Sequence, residues 1–351
     1  MKKVKKPLLR NTVSREEARQ RLKDEACDCA RRTISFYRYV KIADPALMRD
    51  TLFAAWEPLG VFGRIYVAHE GINAQLSLPA KNLEKFRELV DSFAEFKDVP
   101  FKYGLEEGSS FIKLTIKVRN YIVTDGLPVE SYDVSNVGTH LTAEEFNEAL
   151  QRKDTVVVDM RNNYESRIGR FEGAICPDAL TFKQILPMTR ELLKGKEDKK
   201  ILLYCTGGIR CEKASSFLKA QGFADVSQLY GGIISYAKEA REKNLDCKFK
   251  GKNFVFDDRL GERVTQDVIS RCDQCGGSCD SYTNCENQSC NVLFIQCIDC
   301  EVTYRGCCGE KCRAIQVLPE EQRRELRKNQ PPKSFEQFTR RMKPKLRRVS
   351  N

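Results

Sequence analysis

This 351-residue sequence predicts an α/β protein in three parts: an α+β unit, a central three-layer α/β unit, and a small cysteine-rich segment. Three observations predict it. Residues 34–119 read as strand, helix, strand, strand, helix, strand. Residues 141–243 alternate apolar strands with amphipathic helices, the pattern of a parallel sheet flanked by helices. After Asn253 the composition changes, and ten cysteines fall between Cys272 and Cys312.

The length allows two or three domains. Sixteen cysteines, with no apolar segment behind the opening MKKVKK, indicate a reducing cytoplasmic setting and thiol or metal chemistry, not a disulfide framework. No stretch approaches the roughly 18 apolar residues of a membrane helix, so no membrane partner is expected. The net charge of +11 is concentrated at the ends: residues 1–32 carry 11 basic against 5 acidic side chains, and residues 319–351 carry 11 against 4. Basic ends on a near-neutral body fit a polyanionic partner, nucleic acid first. They fit equally well solvated tails that aid solubility.

In chain order, residues 1–33 form a basic arm, with a helix expected from Ser14 to about Ala30 because Ser14 and Glu17 have capping-box spacing. Cys27 and Cys29 near its end stay unassigned. Residues 34–125 form the first unit. ISFYRYVKI is a strand, and PALMRDTLFAAWEPLG is a helix that starts on a proline and stops at Gly60. FGRIYVAHEGINAQLSL is a hairpin turning at His69-Glu70-Gly71, AKNLEKFRELVDSFAEF a helix, and FIKLTIKVR the last strand. The order β-α-β-β-α-β is the ferredoxin-like arrangement. Glu70, Gly71 and Asn73 read as turn chemistry. Residues 126–140 read as a linker, and 141–248 as the central unit, whose first helix is capped by Thr142 and Glu145. TVVVDMR, ILLYC and VSQLYGG supply its parallel strands. Residues 249–318 form the cysteine-rich segment and 319–351 a basic tail containing Pro331-Pro332.

The stretch ILLYCTGGIRCEKASSF (201–217) carries the chemistry. An apolar strand runs into Cys205, a tight loop of Thr206, Gly207, Gly208 and Ile209 follows, and a helix starts near Arg210. The first N–H groups of that helix lack intrahelical partners and point at the sulfur. Together with the helix dipole and Arg210, they favour thiolate over thiol. A structural cysteine at a strand end is the alternative, outweighed by the paired glycines and the arginine. Four residues separate Cys205 from Arg210, one fewer than in the phosphate loop of cysteine phosphatases. The loop therefore suits a smaller anion such as a terminal sulfur, while Arg210 could instead hold an RNA phosphate. The sequence has no G-x-G-x-x-G dinucleotide fingerprint. A non-haem iron triad would need His69 and His140, the only two histidines, to meet by domain docking.

Asp159-Met160-Arg161, Glu165, GRFEGA (169–174), CTGGIR and the closing LYGGI resemble the rhodanese domain. CTGGIRCEKAS in particular resembles the bacterial rhodanese-type tRNA uridine hydroxylases, as do the ferredoxin-like unit before it and the cysteine-rich segment after it. The resemblance implies oxidation of uridine 34 in the tRNA anticodon loop to 5-hydroxyuridine, with molecular oxygen as co-substrate. Cys205 and Arg210 would then be catalytic. The electron donor stays open. In the rhodanese pattern Asp159 and Arg161 are an internal ion pair more often than catalysts. Cys211 could be a resolving thiol or could pack the loop. Stacking partners for a base are not evident, since Phe171 and Tyr230 near the loop read as core. Two rival functions share these residues: a sulfurtransferase carrying sulfane sulfur on a Cys205 persulfide, and a non-catalytic, zinc-stapled RNA-binding module.

Cys272-x2-Cys275 and Cys297-x2-Cys300 have the knuckle spacing of a structural zinc site. Cys279, Cys285, Cys290, Cys307, Cys308 and Cys312 could supply a second site with two thiols left over. Zinc in a structural role is the expectation, because so small a segment needs a staple to fold; free or redox-active thiols and an iron–sulfur cluster are the alternatives.

Overall fold

In the computed structural model, which describes Glu17 and residues 30–106, 110–128 and 131–328, alternation of side chains sets the first unit's architecture. Its elements are β1 (Arg31–Tyr39), α1 (Pro45–Trp56), β2 (Phe62–Ala68), β3 (Gly71–Pro79), α2 (Leu83–Asp91), β4 (Lys102–Tyr103) and β5 (Leu114–Val118). They form one sheet in the order β4-β1-β3-β2-β5. Ile34 and Phe36, Ile65 and Val67, Ile72, Ala74 and Leu76 point to one face and pack under Leu52 and Trp56 of α1 and Phe86 and Val90 of α2. The intervening residues, Ser35, Tyr37, Arg64, Tyr66, Asn73 and Gln75, belong to the other face, which carries no helix of this unit. Asp44 caps α1 by accepting from the N–H groups of Ala46 and Leu47, both at 3.0 Å.

The ferredoxin-like order is present with one difference. FIKLTIKVR does not take the fourth position beside β1; the two-residue β4 does, pairing antiparallel with Ile34 and Ser35. The expected last strand, β5, instead joins β2 in parallel on the far edge, Gly63 opposite Leu114 through Val67 opposite Val118. Its alternation fixed which face is buried, with Leu114 and Ile116 inward, but alternation carries no information about which edge a strand joins. Of the helix expected from Ser14, Glu17 is described and helical while Ala30 is not helical. Cys27, Cys29 and the Pro331-Pro332 tail lie outside the described residues.

The central unit comprises β6 (Thr139–Leu141), α3 (Ala143–Leu150), β7 (Thr155–Asp159), α4 (Asn163–Ser166), β8 (Gly169–Phe171), α5 (Phe182–Leu192), β9 (Lys200–Tyr204), α6 (Ile209–Ala220), β10 (Asp225–Leu229) and α7 (Gly232–Glu242). Four strands form a parallel sheet in the order β6-β10-β9-β7. Strand β9 is its central element, and consecutive residues serve opposite cores. Ile201 and Leu203 pack with Ile185, Ala214 and Leu218, while Leu202 and Tyr204 pack with Phe146, Ile233 and Tyr236. Burial on both faces is why this strand reads as an unbroken apolar run. The residues read as a linker pack on α6, with the Gly138 N–H donating to Ser215 Oγ at 2.8 Å and Lys219 Nζ to the Val137 carbonyl at 3.0 Å, and end in β6.

The third part contains β11 (Phe249–Asn253), β12 (Glu262–Arg263), β13 (Tyr282–Asn284), β14 (Leu293–Ile295), α8 (Ile298–Tyr304), α9 (Glu310–Gln316) and α10 (Glu320–Lys328). Strand β11 pairs with β8, tying this part to the central unit. Arg167 meets Asp273 at 2.6 Å across the same junction. No helix among the described residues is long and apolar enough to cross a membrane.

Candidate active site

Strand β9 delivers Cys205 to the carboxyl end of the parallel sheet, where open α/β sheets place their ligands. The loop then turns at Gly208, whose φ of +96° is in the left-handed region. An added Cβ there would lie 2.8 Å from Tyr37 Oη, so the position requires glycine on two counts. The closing glycine pair has a separate reason. At Gly232 (φ +66°) a Cβ would come within 2.5 Å of the Cys205 carbonyl oxygen. That close approach lets the N–H groups of Ile233 and Ile234 donate to the carbonyls of Cys205 and Thr206 at 3.0 and 3.2 Å, locking the loop from below.

Cys205 is fully buried, yet an N–H aims at its sulfur: Gly208 donates to Sγ at 3.1 Å. Burial alone pushes the thiol up. A hydrogen bond from Cys211, the charge of Arg210 and the N–H groups of Arg210 and Gly208 outweigh that and bring it down to about 6. Cys211, buried and facing the thiolate, is pushed far up and stays a thiol donor. The Arg210 guanidinium is directed elsewhere. Nη1 and Nη2 donate to Glu165 Oε1 and Oε2 at 2.6 and 2.9 Å, and Nη2 also to Thr206 Oγ1 at 3.3 Å. Arg210 therefore contributes charge and a main-chain donor to the sulfur, while its fork is used on Glu165. Glu165→Gln leaves the arginine charged and unpaired in the interior. It is expected to cost about 3–5 kcal/mol, read as a fall in the midpoint of chemical unfolding.

Asp159 and Arg161 form an ion pair at 2.7 Å with no exposed side-chain surface. Arg161 also donates to the Gly169 carbonyl at 2.6 Å and Tyr204 to Asp159 at 2.8 Å. The pair joins β7, β8 and β9 beneath the loop. Phe171 is core, but Tyr230, which leaves β10 at the sheet's end, is 53% exposed, its ring set edge-to-face with His140 at 5.9 Å between centroids. His69 Nδ1 lies 3.0 Å from the Ile42 carbonyl and His140 Nε2 3.0 Å from Glu212 Oε1, so the two histidines are engaged separately.

Above the loop is a cavity of about 490 Å³. Cys205, Thr206, Gly207 and Arg210 line one wall; Tyr37, Arg64, Tyr66, Gln75 and Lys102 of the first unit's open sheet face line another. The docking runs through Glu212, which accepts from Tyr37 Oη at 2.8 Å and Gln228 Nε2 at 2.7 Å. Lys213 pairs with Glu70 at 2.9 Å, so the hairpin glutamate anchors the docking, and Asn73 lines the cavity. Burial brings Lys102 down to about 8, against the opposing charges of Cys205 and Glu212. Sequence reading missed Tyr37, Lys102 and Glu212 as site residues. The one signal available was the outward phase of Tyr37 in an alternating strand.

In the third part, two groups of four sulfurs converge, Cys272, Cys275, Cys297 and Cys300, and Cys285, Cys290, Cys308 and Cys312, each with all its sulfurs within 4.8 Å of one another. Contacts of 3.6 Å (Cys275 to Cys297) and 3.7 Å (Cys290 to Cys308, Cys308 to Cys312) match the edge of a tetrahedron with 2.3 Å metal–sulfur bonds, about 3.8 Å. Either group could hold a metal ion. Cys279 and Cys307 are the two left over.

Family models match three successive stretches: the UPF0176 acylphosphatase like domain at residues 31–122, the Rhodanese-like domain at 142–239 and the Rhodanase C-terminal at 250–313. The chain is 54% identical over 326 residues to the tRNA uridine(34) hydroxylase of Leptospira interrogans, covering 93% of this chain and 88% of that one. It is 50% identical over 323 residues to the protein of the same name from Cronobacter sakazakii, covering 92% of each. The chain belongs to the tRNA uridine(34) hydroxylase family. Within this hydroxylase chain, the matched stretches correspond to the three parts that line the cavity, to which Val123 and Thr124 add from just beyond the first.

Proposed function

We propose that this protein hydroxylates uridine 34 in the anticodon loop of tRNA, converting it to 5-hydroxyuridine with molecular oxygen as co-substrate. The observation that carries the reading is a sulfur accepting the Gly208 N–H at 3.1 Å, at the floor of a cavity large enough for a nucleobase. A wobble base lies in a single-stranded loop and can be splayed out without opening a duplex. Cys205 adds to C6 of uracil, forming a C6–S bond and placing the electron pair on C5. C5 takes one oxygen atom of O2 as hydroxyl. Loss of the C5 proton and cleavage of the C6–S bond then restore the ring and the thiolate. The second oxygen atom leaves as water, which takes two electrons and two protons from an external two-electron donor. Arg210 and the loop N–H groups stabilise the thiolate as nucleophile and as leaving group, and Cys211 returns its hydrogen bond. The cysteine clusters bind zinc in a structural role, and the protein works in the cytoplasm, where tRNA and reduced thiols coexist.

The test is nucleoside mass spectrometry of tRNA from cells lacking the protein. Loss of 5-hydroxyuridine, restored by the wild-type chain, is the expected result. An unchanged nucleoside profile, with purified protein turning over thiosulfate, would instead select the sulfurtransferase reading of the same loop.

A further inference from the structure

The cavity wall facing Cys205 is the helix-free face of the first unit's sheet, and its composition is unusual for a surface that merely docks one domain on another. Registers place its side chains in rows across the strands: Tyr66 opposite Asn73, itself opposite Tyr37, and Arg64 opposite Gln75, itself opposite Ser35. Tyr121, just beyond β5, continues the surface into the cavity. Tyr66 and Tyr121 are half-buried, so their rings are partly available to the cavity. Arg119 stands 5.5 Å from the Tyr66 ring centroid, an arrangement in which an aromatic face already carries a cation.

Two of the charges on this wall, Arg64 and Arg119, are uncommitted, while Lys102 faces the charges of Cys205 and Glu212 without pairing with a carboxylate. Arg210 and Arg259, which also line the cavity, are held by Glu165 and by Asp257 and Glu262. Among the described residues, Arg64, Arg119 and Lys102 have no carboxylate partner. Arg64 donates only to the Phe256 carbonyl, at 3.3 Å, and Lys102 Nζ rests 4.3 Å from the Tyr37 ring centroid. Free cations beside accessible aromatic rings on a flat sheet are the combination that single-stranded nucleic acid requires, charge for phosphate and a π-face for bases. An acidic peptide would use the cations but leave the rings without a stacking partner.

We propose that this wall is a stacking platform for the nucleotides flanking the modified uridine, with bases on Tyr66 and Tyr121, phosphates on Arg64, Arg119 and Lys102, and Gln75 at a base edge. The proposal rests on the reading of the chain as a tRNA uridine hydroxylase and names positioning residues for it. Neighbouring nucleotides lie along the sheet, and the uridine between them crosses the cavity to Cys205.

The experiment measures binding of an anticodon stem-loop RNA to the full-length chain by fluorescence anisotropy, with 5-hydroxyuridine quantified in tRNA from cells lacking the protein that express each of the same chains. Y66A and Y121A each raise Kd about 10-fold, the scale of one lost base stack, while Y66F stays within about 2-fold because the ring remains. In R64A and R119A the slope of log K against log salt shrinks by about 0.7 per lost phosphate contact. As a check independent of variant folding, wild-type chain irradiated with stem-loop carrying 5-iodouridine beside position 34 crosslinks to peptides containing Tyr66 or Tyr121. Unchanged Kd in both alanine variants, or crosslinks confined to the cysteine-rich segment, overturns the platform. If wild-type protein forms 5-hydroxyuridine while those variants bind normally, the platform fails and the hydroxylase stands. If the variants lose binding but wild type never hydroxylates, the platform stands and the hydroxylase reading fails.

Discussion

Cys205→Ser reduces formation of 5-hydroxyuridine by about a thousandfold or more, the scale of losing a covalent nucleophile, while the chain still binds the anticodon stem-loop. The serine fits the same space, and Gly208 still has an oxygen to donate to. What disappears is the anion: a hydroxyl stays protonated at neutral pH, whereas the environment of Cys205 lowers its thiol to about 6. The sign gives a second reading of the same variant. A group whose proton is lost early is charged above its shifted value and neutral below it. Wild-type minus C205S thiolate absorbance therefore rises between roughly pH 5 and 7 and is flat near pH 8, where a free cysteine is only beginning to ionise. Activity follows this limb on its acid side. Full retention of 5-hydroxyuridine in C205S would remove the thiol from the mechanism. A difference signal appearing only above pH 8 would mean that burial outweighs the donors around the sulfur.

What the sequence disclosed and what it concealed divide along contact distance. The loop from Cys205 to Arg210 was legible because its strand, glycines and helix start are contiguous, so local rules suffice. Even the glycines of LYGGI could be seen as a signature. Their reason, a backbone approach of Gly232 to the Cys205 carbonyl, depends on two βα turns lying side by side. The partner of the Arg210 fork was visible as a motif residue, Glu165, without its role. The opposite wall offered no more than the outward phase of Tyr37 in its alternating strand. Tyr37 and Glu212 meet across 175 positions of sequence, through a docking of two units that no periodicity encodes. Strand β5 shows the same limit within one domain, since its alternation predicted a strand but was silent on the edge. Tyr230 was misjudged because an aromatic next to a buried strand reads as core, whereas the chain has already left the sheet there.

Removing metal unfolds the cysteine-rich part and weakens the site with it. The purified chain is expected to carry two zinc ions, one on Cys272, Cys275, Cys297 and Cys300 and one on Cys285, Cys290, Cys308 and Cys312. C297S should retain one. The apolar material there is thin: Val292 and Phe294 are the buried aliphatic and aromatic groups of the second cluster's core, and the rest of that core is sulfur. Each such side chain contributes about 1.5–3 kcal/mol on burial, against roughly 1–2 kcal/mol of backbone entropy for every residue ordered. A thiolate zinc site supplies on the order of 10–16 kcal/mol, which reverses that balance. After chelation, residues 272–312 become open to proteolysis while the parallel sheet of the central unit stays protected. Metal analysis with limited proteolysis reads both effects, and protease resistance in a zinc-free chain would show that the segment folds on its own side chains. The consequence reaches the active site through Asp273, which lies inside the Cys272–Cys275 knuckle of the first cluster. It takes Arg167 at 2.6 Å and the Ile295 N–H at 2.8 Å, joining the segment to the end of α4, the helix that carries Glu165. Loss of the first cluster therefore slackens the Glu165–Arg210 side of the cavity, and C297S is expected to raise KM for tRNA more than it lowers kcat.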